Sequence, residues 1–224
     1  MAHPYWPLFD LVVRTPRLEL RPPTDDDVLA LVELSDRGVH DPAWMPFAIP
    51  WTDWDPPVRR RNTLQWWWRQ RGDWQAEKWI LGLQVSEIGP DGTRTVVGAQ
   101  DLLGDDFARS RTVSTGSWLG RAHQGRGIGK EMRAAVLHLA FAGLGAERAE
   151  TSAWHDNEAS LAVTRALGYR PNGTHVQLRR DTYDTQLDFV LPREDWAAAR
   201  RDDIEIEGLD ACLELFGVAP GPGL

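Results

Sequence analysis

The chain has 224 residues, a formal charge of −8 and a single cysteine, Cys212. That length supports one sizeable core rather than two ordinary domains, and the acidic balance disfavours nucleic acid and anionic membranes, which are captured by clustered Lys and Arg. One cysteine excludes an intramolecular disulfide and a Cys-rich zinc site, and with no basic leader or run of about 20 apolar residues it suits a soluble protein of the reducing cytoplasm.

In chain order, the alternating segment RLELRP over 17–22 reads as a half-buried strand, and Thr24 caps a helix whose first turn is acidic. Residues 38–57 are loop-like, broken by prolines yet rich in aromatics. A second helix is predicted to start at Pro57 and stop near Gly72. Three strands follow as a meander, 78–88, 94–104 and 111–120, the first two joined by the turn GPDG. Residues 131–145 carry apolar positions on a helical period and end in glycines. A strand at 148–154, a helix from Asn157 and two late strands around 174–181 and 185–192 complete the order βα(α)βββαβαββ, with a short helix or turn at 192–201. A domain is thus expected over 1–200. Residues 201–224 are expected to be an acidic tail with room for one short amphipathic helix.

Between the meander and the helix that follows it stands His123-Gln124-Gly125-Arg126-Gly127-Ile128-Gly129-Lys130. A Walker A loop would need glycine where Gln124 stands and a hydroxyl where Glu131 stands. A dinucleotide fingerprint would need the third glycine at Lys130 and a βαβ start, although Glu150 lies near the distance of a ribose-binding acid. A turn that binds nothing is the plain alternative. Read as Q-x-x-G-x-G, the segment resembles the pyrophosphate loop of the GNAT superfamily of acyl-CoA N-acyltransferases. Bare glycines there let backbone N–H groups from Gly125 to Lys130 meet a phosphate at the positive end of a helix.

The resemblance runs over about residues 14–198, through the opening TPRLELRPPTDDD, the strand ending in Trp118 before the loop, and Asn157-x-x-Ser160 followed by Leu167-Gly168-Tyr169. It points to the RimJ/RimL-like branch. Stretches at 38–52, 115–120 and 131–142 are similar, more narrowly, to a mycobacterial GNAT succinyltransferase that uses succinyl-CoA. The implied fold is α/β: a mixed, mostly antiparallel sheet, splayed between its fourth and fifth strands at Ser117-Trp118-Leu119 and Ala153-Trp154-His155, with helices on its flanks.

The implied activity is transfer of a short acyl group, succinyl favoured and acetyl the alternative, from CoA to a primary amine without a metal. Gln124 to Lys130, Trp118, Leu119, Asn157 and Ser160 are then the CoA-binding residues. The Leu119 N–H would meet the thioester oxygen and Ser160 the leaving thiolate, because Thr164 stands where many relatives carry a tyrosine acid. Ser114 stands where RimL-like enzymes carry glutamate, so Asp101 and His155, with Asp156 and Glu150, are the groups left to take a proton. The same residues have blander roles, Asn157 as a helix cap and Ser160 as a solvated side chain.

Eight tryptophans lie from Trp44 to Trp79, ahead of the strand at 94–104, where the family places its acceptor wall. His40, Trp44, Trp51, Trp67 and Trp154 are the candidate acceptor contacts, although three consecutive tryptophans cannot share one helix face and a subunit interface explains them equally. The acceptor is a small-molecule amine, as in antibiotic acetylation, or a protein lysine or N-terminus. A homo-oligomer is compatible with this pattern. The competing classes are a non-catalytic acyl-CoA-binding protein and a tryptophan-mediated scaffold.

Overall fold

The computed structural model describes residues 3–218. Its strands are β1 (Val12–Arg14), β2 (Leu18–Arg21), β3 (Lys78–Ile88), β4 (Arg94–Asp105), β5 (Thr112–Leu119), β6 (Arg148–Trp154), β7 (Arg170–Arg179), β8 (Thr182–Pro192) and β9 (Glu205–Glu207). They form one open sheet in the order β7-β8-β6-β5-β4-β3-β2-β1-β9. The helices are α1 (Asp25–Asp36), α2 (Pro56–Gly72), a single turn α3 (Phe107–Ser110), α4 (Ile128–His138), α5 (Glu158–Ala166) and α6 (Arg193–Ala198).

Alternation sorts the two faces. Trp79, Leu81, Leu83 and Val85 on β3 point to one side, where Ile128, Met132, Ala135 and Val136 of α4 and Leu161 of α5 complete the main core. α1 and α2 cover the other side, with Val28, Leu31, Trp67 and Ala99 as a second, smaller core. The start of α1 is fixed by a capping box: Thr24 Oγ1 accepts from the Asp27 N–H at 3.3 Å and the Asp27 carboxylate from the Thr24 N–H at 2.9 Å. Trp67 lies so close over the sheet that a Cβ at Gly82 would stand 2.4 Å from its ring, so only glycine admits it.

Every neighbouring pair is antiparallel except β5 and β6. That parallel pair joins at only three positions, Thr112↔Arg148, Val113↔Ala149 and Ser114↔Glu150. Both strands run on, β5 backed by β4 to Leu119 and β6 backed by β8 to Trp154, and a gap opens between them. The splay falls between the segments named from the sequence. The strands are the fifth and sixth here because β1 precedes the predicted first strand.

Residues 201–218 correct the expectation of a tail. β9 pairs with β1, and a 3-10 stretch over Asp210–Phe216 sends Cys212 and Phe216 fully into the main core. Phe216 meets Trp74 and Trp79 edge-on, with ring centroids 5.4 and 4.9 Å away. The segment is acidic on average, yet Ile204, Cys212 and Phe216 bury enough apolar surface to bind it to the domain. Residues 219–224 lie outside the described residues.

Candidate active site

The gap begins as a backbone feature. The Gly120 N–H donates to the Val97 carbonyl at 3.0 Å, and β4 and β5 pair in register from there. In an antiparallel ladder the hydrogen-bonded positions alternate, so Leu119 and Ser117 turn their N–H groups away from β4 and into the opening. The Leu119 carbonyl accepts from Gln124 Nε2 at 3.0 Å. Its N–H remains directed into the gap.

Gln124 holds the glycine turn against the protein: the same Nε2 also donates to the Val39 carbonyl at 2.7 Å. Gly125 and Gly127 have φ of +73° and +79°, a region that costs other residues a steric penalty. Gly127 is the N-cap of α4. It has no side chain to accept from the first turn, whereas Thr24 caps α1 and Asn157 caps α5. The first intrahelical bond runs from the Glu131 N–H to the Gly127 carbonyl, so the N–H groups of Ile128, Gly129 and Lys130 are free for an external acceptor.

The side chains of this segment divide. Ile128 is buried in the core and offers only its backbone, Lys130 is exposed, and Arg126 is turned aside to Glu87 at 2.8 Å. Buried Glu131 accepts from Thr15 and Arg17, and Arg17 also reaches the Arg126 carbonyl at 3.4 Å, tying the turn to the β1–β2 connection.

Across the gap, Asn157 Oδ1 accepts from the Ser160 N–H at 3.2 Å. The cap uses the oxygen of that amide and leaves its two N–H donors for another partner. Ser160 is partly exposed one turn into α5. Thr164, a turn deeper, is fully buried and accepts from Arg133 Nη1 of α4 at 2.9 Å. Sequence reasoning does not single out Arg133. Its signal is a charged residue on the stripe Gly129, Arg133, Val136, Ala140, which is otherwise uncharged and faces the interior.

Four groups were candidates for taking a proton, and their environments separate them. Glu150 pairs with Arg148 at 2.8 Å. His155 is exposed beside Asp184 at 3.3 Å. At Asp156 burial opposes the charge, but hydrogen bonds from Arg179 and Trp44 outweigh it and hold the carboxyl below its ordinary value. Asp101 is the opposite case. It sits on β4 opposite Gly116, on the α1/α2 side, with Oδ1 buried and without a partner, and desolvation pushes it up to about 7. Gly116 leaves room above it, since a Cβ there would be 3.7 Å from the Asp101 carboxylate.

The aromatic candidates do not form one wall. Trp67 belongs to the smaller core. Trp44 and Trp154 sandwich the Arg179 guanidinium, its Cζ 5.5 and 5.0 Å from their ring centroids, while Arg179 bonds the Met45 carbonyl, Asp156 and Asp184. Arg180 adds bonds to Asp53 and to the Pro42 carbonyl. Together they fasten the loop between α1 and α2 to the β7–β8 hairpin. Within that loop His40 bonds Thr52 at 2.7 Å and packs on Phe47, which leads to Trp51 and, 5.7 Å on, to Trp118. Trp51 and Trp118 therefore flank the gap on the α1/α2 side. Trp74 and Trp79 are core residues stacked 5.9 Å apart.

No helix is long and apolar enough to cross a membrane, and no group of three His, Cys, Asp or Glu side chains could hold a metal ion, among the described residues.

Comparison with known proteins gives the same architecture. Residues 17–170 match the family model described as an acetyltransferase (GNAT) domain. Mycobacterium smegmatis RimJ in complex with CoA-disulfide superposes with a TM-score of 0.68 at 20% identity, covering 89% of this chain and 98% of its own. A GCN5-related N-acetyltransferase from Brucella melitensis gives 0.65 at 19%, covering 84% and 80%. RimL, a ribosomal-protein alpha-N-acetyltransferase in complex with coenzyme A, gives 0.62 at 19%, covering 81% and 97%. With a splayed sheet, a glycine turn opening an uncapped helix, and a family match over most of its length, the chain belongs to the GNAT acetyltransferase family.

Proposed function

We propose that the protein is an acyl-CoA-dependent N-acyltransferase that moves a short acyl group, succinyl in preference to acetyl, onto a primary amine. The abrupt end of β5–β6 pairing beside the glycine turn carries this assignment. Backbone groups left open in a sheet interior are costly unless something satisfies them, and the amides of a pantetheine arm fit that need. The N–H groups of Gly125 to Lys130 suit its pyrophosphate, and the spare donors of Asn157 suit the arm.

In the reaction, a neutral amine enters from the α1/α2 side, past the packed rings of Trp51 and Trp118, and its nitrogen attacks the thioester carbonyl. The C–N bond forms, the C–S bond breaks, and CoA leaves as the thiolate. The Leu119 N–H stabilises the developing oxyanion, a contribution commonly worth about 10²–10³ in rate. The proton lost by nitrogen goes to Asp101, directly or through water, because among the candidates it alone combines an unpartnered oxygen with a pKa near neutrality. Ser160 donates to the departing sulfur.

The acidic surface favours a cationic acceptor. RimL's ribosomal-protein substrate supports a protein amine over a small metabolite. The test is a thermal-shift titration with CoA, acetyl-CoA, succinyl-CoA, NADH and ATP, followed by turnover with peptide and small-molecule amines. A ligand at 100 times its Kd stabilises by about 2.7 kcal/mol. Stabilisation by the CoA compounds alone supports the assignment. Stabilisation by NADH or ATP, or by none, removes it.

A further inference from the structure

Burying a guanidinium without a carboxylate is expensive, and proteins rarely do so without a use for the charge. Arg133 is such a group. It is 5% exposed, and no carboxylate of the described residues lies within ion-pair distance of it. Its hydrogen bonds go to neutral hydroxyls, Thr164 Oγ1 at 2.9 Å and Ser117 Oγ at 3.5 Å, and its Nε has no partner. Burial lowers its pKa, opposed only by the neighbouring Tyr169 phenol. The Tyr169 hydroxyl and Thr115 Oγ1 are likewise buried, side by side, with no partner beyond each other. Ser117 belongs to the part of β5 that has left β6, so this cation borders the gap on its α4 side.

We propose that Arg133 recognises a carboxylate at the far end of the acyl group, so that the preferred donor is a dicarboxylic acyl-CoA of about four carbons. The proposal rests on the assignment of the gap to an acyl-CoA. Its length follows from the strand. Ser117 lies two residues from Leu119, about 6.6 Å along β5. A thioester carbonyl held at the Leu119 N–H and followed by three C–C bonds of about 1.5 Å each places a terminal carboxylate roughly 4 Å further on. A charge-assisted hydrogen bond of about 2.8 Å closes the remaining distance to a guanidinium beside Ser117. An acetyl group ends too early to meet it, and a four-carbon chain without the carboxylate brings no charge. The Thr164 and Ser117 hydroxyls hold the guanidinium fork in place.

Isothermal titration of wild type, Arg133→Met and Arg133→Lys with CoA, acetyl-CoA, butyryl-CoA and succinyl-CoA tests this, with butyryl as the uncharged chain of equal length. The expected result is succinyl-CoA binding at least about tenfold tighter than butyryl-CoA in wild type. That preference is erased in Arg133→Met, partly kept in Arg133→Lys, and accompanied by little change for CoA itself. CoA binding without a succinyl preference in wild type overturns the role of Arg133 and leaves the gap assigned, and the wild-type comparison decides this even if the variants do not fold. A preference that survives Arg133→Met also overturns it. So does an equal fall in acetyl and succinyl turnover at unchanged affinities, which would place Arg133 on the leaving thiolate. Failure of every CoA compound to bind wild type overturns both the gap assignment and this proposal.

Discussion

Replacing Asp101 by asparagine separates the cost of a buried acid from its use. In the unfolded chain the carboxyl ionises at its ordinary value of 3.8, and in the fold at about 7. Between those values the native state alone holds the proton, so stability falls as pH rises from 3.8 to about 7 and is level above it. At 1.36 kcal/mol for each pH unit the loss reaches at most about 4 kcal/mol, an upper end because the residue keeps some solvent contact. The amide of the variant has nothing to ionise. Urea unfolding of both proteins at several pH values from about 4 to 8 should show Asp101→Asn gaining on wild type as pH rises, then holding a constant advantage above about pH 7. Activity should move the other way, with kcat/KM falling about 10²–10⁴-fold and losing its rise through neutral pH. A stability difference that is the same at the acidic and alkaline ends of this series, or a variant less stable than wild type at the alkaline end, refutes the reasoning.

Phe216→Ala should lower unfolding free energy by about 3–5 kcal/mol in urea titration, since a fully buried ring against Trp74 and Trp79 is removed; an effect near zero would return residues 201–218 to the status of a tail. Gly127→Ala forces a side chain into φ of +79° and should cost about 1–2 kcal/mol while weakening CoA binding in the same thermal-shift assay. Arg179→Met removes the guanidinium between Trp44 and Trp154, interactions worth about 0.5–2 kcal/mol. Limited proteolysis within residues 39–54 should then accelerate and KM for the amine rise, with CoA affinity kept.

Much of the frame is legible in local chemistry. Thr24 with its acidic first turn marks α1, and the turn at 89–92 marks the β3–β4 hairpin. The glycines at 125, 127 and 129 mark the start of α4, because each signal acts within a few residues. What is hidden depends on distant partners. β1 and β9 are three residues each, too short for a period: β1 is held between β2 and β9, and β9 exists only by pairing with β1 across the chain. The tryptophans look alike in sequence, yet Trp67 is drawn over Gly82, Trp79 into the core, and Trp44 onto Arg179, a residue far along the chain. Asp101 and Glu150 are both acids on strands. Arg148 neutralises one, and nothing meets the other.

The pairing of β9 with β1 sets an order of events during synthesis. Arg14 meets Glu207 across 193 positions of sequence, so on the ribosome β1 emerges long before the strand that covers its outer edge. Trp74 and Trp79 likewise wait for Phe216. Until then a nascent chain carries an unpaired strand edge beside uncovered aromatic surface, the combination that invites association with other chains. A truncation before Glu205 would make that transient state permanent, and poor recovery of such fragments would report on folding order rather than on the chemistry of the gap.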